Sequence, residues 1–194
     1  MCIRDRFSAV VVGGAMANTF LLANKNNVGK SLVEKNLIEE ANDIQLKAAK
    51  LNCELMLPLD VVCGKNIKDT NPNHRKINEI LPDEMILDIG NISTQNINNK
   101  IINSKMVLWN GPVGAFEFRP YDKATNAIAN NIKLNAKKHN IHALAGGGDT
   151  VSAIKNANAE KGFNYISNAG GAFLEWLEGN ESPGVKSLRE NNFS

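Results

Sequence analysis

Short apolar, β-branched runs alternate along the chain with longer segments in which apolar residues recur at helical spacing. The runs at 7–12, 54–62, 84–90, 106–109, 142–145 and 163–167 predict strands, the first of them buried on both faces. Segments 15–24, 31–51, 93–104, 123–139, 151–159 and 173–177 predict helices. Ser31 with Glu34 three residues on reads as a capping box, opening a helix whose apolar face carries Leu32, Leu37, Ile38, Ala41, Ile44, Ala48 and Leu51. Pro58 inside its run predicts an edge or a bulge. Residues 64–82 are polar and read as a loop with at most a short helical turn, in which His74 is a solvated side chain. Residues 179–184 read as a turn, and 188–194 as a polar tail that frays. Alternating strands and helices predict an α/β fold: a doubly wound parallel sheet with helices on both faces, a Rossmann-like three-layer arrangement.

Glycine marks the ends of these strands. The runs ending at Val12, Ala145 and Ser167 pass through glycine-containing turns into helices, and a fourth passes into Asn110-Gly111-Pro112-Val113-Gly114. In such sheets ligands bind in the crevice beyond the strands' carboxyl ends, where all four loops belong. The richest is Gly146-Gly147-Gly148-Asp149-Thr150. Glycines allow close backbone approach, and a helix N-terminus offers free N–H groups, so the loop predicts a phosphate site. Asp149 supplies a carboxylate suited to a phosphate-bound Mg²⁺. The competing reading is a plain strand-to-helix turn capped by Asp149 or Thr150. Gly13 and Gly14 are either a tight turn or a flat wall for a planar base, and Glu117 either a surface side chain or an acceptor for ribose hydroxyls.

Two familiar phosphate motifs are excluded. Val28-Gly29-Lys30-Ser31 has Asn24 where a P-loop needs glycine, and it follows a helix. The dinucleotide fingerprint fails at Gly13 and again at Gly146, where its third glycine falls on Val151. The chain has 194 residues, net charge +2, 43% hydrophobic and 6% aromatic residues, which fits a globular domain and offers nucleic acid little charge or stacking surface. Cys2, Cys53 and Cys63 are too scattered for a disulfide framework or a zinc site, which favours a cytoplasmic setting. No apolar run approaches the ~20 residues that span a bilayer, so no membrane partner is expected. Residues 1–6 are charged, lack a signal-peptide core, and read as a non-native or truncated leader to a domain at 7–194.

In order and spacing, several blocks resemble the C-terminal, nucleotide-binding half of phosphoglycerate kinase. They are Val12-Gly13-Gly14-Ala15-Met16-Ala17-Asn18-Thr19-Phe20, Val28-Gly29-Lys30-Ser31-Leu32, Leu57-Pro58-Leu59-Asp60-Val61-Val62 and Leu87-Asp88-Ile89-Gly90, then Trp109-Asn110-Gly111-Pro112-Val113-Gly114-Ala115-Phe116-Glu117, Gly146-Gly147-Gly148-Asp149-Thr150 and Gly170-Gly171-Ala172-Phe173-Leu174-Glu175. The resemblance implies reversible, Mg²⁺-dependent phosphoryl transfer between 1,3-bisphosphoglycerate and ADP, giving ATP and 3-phosphoglycerate in glycolysis. It implies that Gly13, Gly14 and Leu87 wall the adenine, Glu117 holds the ribose, and Asn110 and Pro112 border the phosphates. Gly146, Gly147, Gly148, Asp149 and Thr150 hold the phosphates, with Asp149 on the metal, and Gly170 and Gly171 face the transferring phosphoryl group. Phosphoglycerate would be met through an N-terminal domain that this chain lacks, along with an upstream lysine-bearing segment. The expectation is a chain that binds nucleotide without turning over, from a family expected to be monomeric. The alternative is a nucleotide-binding module with no kinase activity. Asn168-Ala169 and Asn91 depart from the family's usual threonine-glycine and proline.

Overall fold

A computed structural model describes residues 7–171. The predicted helix at 173–177, the turn at 179–184, the tail and the leader lie outside that range.

Two parallel ladders carry the α/β architecture. β1 (Ala9–Val11) pairs with β2 (Glu54–Met56), Val11 opposite Met56. β6 (Met106–Asn110), β7 (His142–Gly146) and β8 (Tyr165–Ser167) form the second, with Asn110 opposite Gly146 and Gly146 opposite Ser167. Helices α1 (Gly14–Ala23) and α2 (Ile38–Lys50) pack on each other over the first ladder, around Val12, Ala17, Phe20 and Ala41. α3 (Asn91–Ile102), α4 (Lys123–Asn135) and α5 (Gly148–Asn156) enclose the main core with Trp109, Ile128, Ile132 and Ile154. The result is the expected three-layer, Rossmann-like arrangement.

The sheet is not wholly parallel. The expected strand at 54–62 breaks at Leu57-Pro58-Leu59 and becomes two strands in different sheets. Proline has no N–H to give a ladder, so the break falls where the sequence weakens it. Beyond it, β3 (Asp60–Gly64) lies antiparallel between β4 (Asn73–Lys76) and β5 (Met85–Ile89). β4 occupies the stretch expected to be a loop. Its polar sequence gives no apolar alternation, and an ion pair holds it instead.

That pair is Arg75 with Glu84, only 1% exposed. The Glu84 carboxylate accepts from Arg75 Nη2 at 2.8 Å, Asn73 Nδ2 at 3.0 Å and the Leu81 N–H at 3.2 Å. The Arg75 guanidinium, foremost, holds the Glu84 carboxyl below the usual carboxylate range. A depressed folded-state value gives stability that is present above the unfolded value, about 4.3, and lost as pH falls through the folded one. Glu84→Gln therefore melts below the parent at neutral pH, and the two melting points converge as pH falls from about 5 through the depressed folded-state value. A gap that stays constant across that range contradicts the assignment.

The capping box is also corrected. Helix α2 begins at Ile38, after a 3-10 turn at Lys35–Leu37. Ser31 is buried away from it. Its hydroxyl donates to the Val28 carbonyl and accepts the Ile86 N–H at 2.8 Å. The Glu34 N–H goes to Thr19 Oγ1, 3.1 Å away. A serine that finds better partners across the fold does not cap locally. The cap of α3 is supplied from a distance as well: Asp60 accepts the N–H groups of Ile92 (3.0 Å) and Ser93 (2.8 Å).

Candidate functional site

Loops after β1, β6, β7 and β8 meet at one end of the fold. The Gly14 N–H donates to the Val113 carbonyl at 3.0 Å, tying the first loop to the loop that follows β6. The Gly111 N–H donates to Thr150 Oγ1 at 2.7 Å, tying that loop to α5. The Gly147 N–H donates to the Ser167 carbonyl at 3.0 Å, tying β7's loop to β8. The convergence inferred from the glycine punctuation is thus present as hydrogen bonds.

Glycine is required at the tightest points. Gly147 has φ +99°, a conformation side chains resist, and it caps α5 in place of the Asp149 or Thr150 side chain. A Cβ on Gly170 would lie 2.6 Å from the Gly147 Cα and 3.0 Å from Asn110 Nδ2. Among the described residues, a Cβ on Gly171 or on Gly148 would meet nothing within 4 Å.

The other expected site residues separate into two groups. Asp149, Glu117, Asn110 and Gly148 are exposed, and Gly14 and Pro112 half-buried. Asp149 sits in the first turn of α5, whose leading N–H groups lack intrahelical partners. Thr150, Gly146, Gly170 and Leu87 are buried. The Thr150 hydroxyl is committed to Gly111, and Leu87 packs against Tyr121 and Val62. Gly13 is half-buried against Val113, where a Cβ would fall 2.8 Å from the Val113 Cα, so tight packing accounts for this glycine. Two residues had no role in the sequence reading. Gly114 closes on Asp88, and Ala115 donates its N–H to the Leu87 carbonyl at 2.7 Å. The signal available for Asp88 was a charge inside an apolar strand.

No group of three or more His, Cys, Asp or Glu side chains that could hold a metal occurs among the described residues. A lone exposed carboxylate suits an Mg²⁺ that arrives on a phosphate and keeps most of its waters. No helix among the described residues is long and apolar enough to cross a membrane.

Fold and loops together define a doubly wound α/β domain whose glycine turns gather at the strands' carboxyl ends. The phosphoglycerate kinase family model matches residues 2–180, and the chain belongs to that family. It is 48% identical over 181 residues to phosphoglycerate kinase of Rhodospirillum centenum, covering 92% of this chain and 46% of that protein. The enzyme of Bartonella bacilliformis is 45% identical over 183 residues, with 94% and 46% covered. The solved phosphoglycerate kinase of Coxiella burnetii superposes with TM-score 0.90 at 33% identity, covering 97% of this chain and 48% of that one. The chain spans about half the length of the curated relatives it matches.

Proposed function

We propose that this chain is the nucleotide-binding, C-terminal half of a phosphoglycerate kinase and that its converged loops hold ADP or ATP with Mg²⁺. The observation that supports this most is the locking of the loops to one another through Gly14, Gly111, Thr150, Gly147 and Gly170, beside the N-terminus of α5. Phosphoryl transfer asks a protein mainly for positioning and charge neutralisation. Backbone N–H groups of the Gly147-Gly148-Asp149-Thr150 turn supply donors for phosphate oxygens. Bound Mg²⁺ would neutralise phosphate charge, and Asp149 would hold it. Glu117, exposed, is the acceptor offered to ribose hydroxyls. Gly170 and Gly171, which follow β8, would face the transferring group. Phosphoglycerate would be held by residues outside this chain, so the chain binds nucleotide and does not turn over by itself.

Calorimetric titration with MgADP tests this. The expected result is saturable binding, weakened about tenfold, or ~1.4 kcal/mol, by Asp149→Ala and by Glu117→Ala. Absence of binding to the folded parent chain, or binding indifferent to both changes, rejects the site.

A further inference from the structure

Asp88 is the one charged side chain of β5, and it is 2% exposed. A carboxylate in such a place needs partners. Its Oδ2 accepts the Ala124 N–H at 3.0 Å, in the first turn of α4. Its Oδ1 accepts the Ile89 N–H at 2.9 Å. Gly114 closes on the same group, since a Cβ there would lie 2.2 Å from Oδ1. Next to it, the Leu87 carbonyl takes the Ala115 N–H. One short stretch of β5 therefore grips both the middle of the β6–α4 connection and the helix start that ends it. That connection carries Pro112 and Glu117 and begins at Asn110, the last residue of β6.

We propose that Asp88 is a positioning residue for this connection, and that its state of ionisation sets how firmly the nucleotide loops are held. The proposal rests on the nucleotide reading above. A carboxylate is an acceptor at both oxygens and serves both backbone donors. A carboxylic acid must donate from one of them and accepts less strongly there. With Gly114 pressed against Oδ1, the acid has little room to rearrange.

Burial pushes the Asp88 carboxyl up to about 7, against the pull of the Ala124 and Ile89 N–H groups. Asp122, ahead of α4, adds a smaller push in the same direction. Further groups face it among the described residues. Lys123 of α4 and His74 of β4 line a small cavity of about 190 Å³ beside Asp88, with the neutral Asn91 and Thr94 of α3. From β3, Val62 stands opposite Asp88 and is followed by the buried Cys63.

The sign separates this role from a purely structural one. A raised folded-state value means the fold holds its proton more tightly than the unfolded chain. On this group's account stability rises as pH falls from about 7 toward about 4. Loop order moves the opposite way, because the same proton weakens the clamp. By linkage, bound nucleotide lowers the Asp88 midpoint and releases a fraction of a proton.

The test is ¹⁵N NMR of the whole chain, titrated through neutral pH, with MgADP affinity measured over the same range. The amides of Gly114, Ala115 and Ala124 are expected to shift with one common midpoint near 7. That midpoint disappears in Asp88→Asn and survives in His74→Gln. MgADP affinity falls several-fold on acidification across it, and is flat with pH in Asp88→Asn. Amides without a shared midpoint, or a midpoint lost with His74, overturn the proposal. So does a pH slope of affinity that Asp88→Asn leaves unchanged. If the parent chain binds no MgADP at any pH, the nucleotide reading fails, and the amide titration alone judges the clamp. Should Asp88→Asn not fold, the parent's own Asp88 carboxyl resonance decides whether its midpoint matches that of the amides.

Discussion

Gly29→Ala is expected to lower the melting point by about 6–12 °C, which for a chain of this size corresponds to ~3 kcal/mol. Gly29 has φ +56°, where a side chain is penalised by about 1–2 kcal/mol. Its Cβ would also fall 2.1 Å from the Glu84 carbonyl oxygen and 2.6 Å from that of Leu81. Both are backbone atoms and cannot swing aside, and overpacking of this kind costs a further ~1–3 kcal/mol. Around the clash, the Lys30 N–H donates to the Glu84 carbonyl at 2.7 Å and Gly29 bridges Met85. Moving the segment to make room would pull on Glu84, whose carboxylate anchors β4. The comparison is Gly148→Ala, whose Cβ meets no atom within 4 Å among the described residues and which is expected to leave stability within about 0.5 kcal/mol of the parent. Thermal melts of both variants beside the parent decide it. Equal melting points for all three chains would show that this contact is not a tight one.

The same glycine shows what a sequence can and cannot disclose. Val28-Gly29-Lys30-Ser31 looks like a fragment of a phosphate loop, and spacing alone was enough to refuse it. What the segment does instead depends on Glu84, far along the chain, and no local pattern points there. Ser31 likewise has a local partner by sequence, Glu34, and distant partners in the fold. Local rules work where the nearest neighbours decide. Apolar runs bounded by glycine located β1 and β5 to β8, and the shared strand-to-loop direction placed their loops at one end. They fail where long-range contacts decide. β4 is a polar strand, Asn73-His74-Arg75-Lys76, and exists because Glu84 and β3 receive it. Breaking one apolar run at Pro58 into strands of opposite pairing is a choice of partner that Leu57 and Leu59 do not encode. Within the site, Asp149 and Glu117 were legible as exposed polar residues in glycine-bearing loops. The contact of Gly13 with Val113, and the grip of Asp88 on Gly114, were not, since each joins residues far apart in the chain.

Gly170→Ala is expected to damage stability and nucleotide affinity together, with a loss of ~2 kcal/mol in folding and at least about tenfold in MgADP binding. Gly170 is buried where three strand ends meet. A Cβ there would lie 2.6 Å from the Gly147 Cα, 2.8 Å from the Gly147 N and 3.0 Å from Asn110 Nδ2. Two of these atoms are backbone, so relief requires the β7 and β8 loops to separate. Separation stretches the 3.0 Å bond from the Gly147 N–H to the Ser167 carbonyl and displaces the turn that opens α5. Asn110 can rotate away. Gly171→Ala is the matched control, because its Cβ would meet nothing within 4 Å among the described residues and the fold should not register it. The two neighbours thus separate space needed by the fold from space left for a ligand. If Gly171→Ala keeps its melting point yet weakens MgADP, Gly171 belongs to the nucleotide site. If Gly170→Ala melts and binds as the parent does, the three loops are not locked at this point, and positioning of the phosphates has to come from α5 alone.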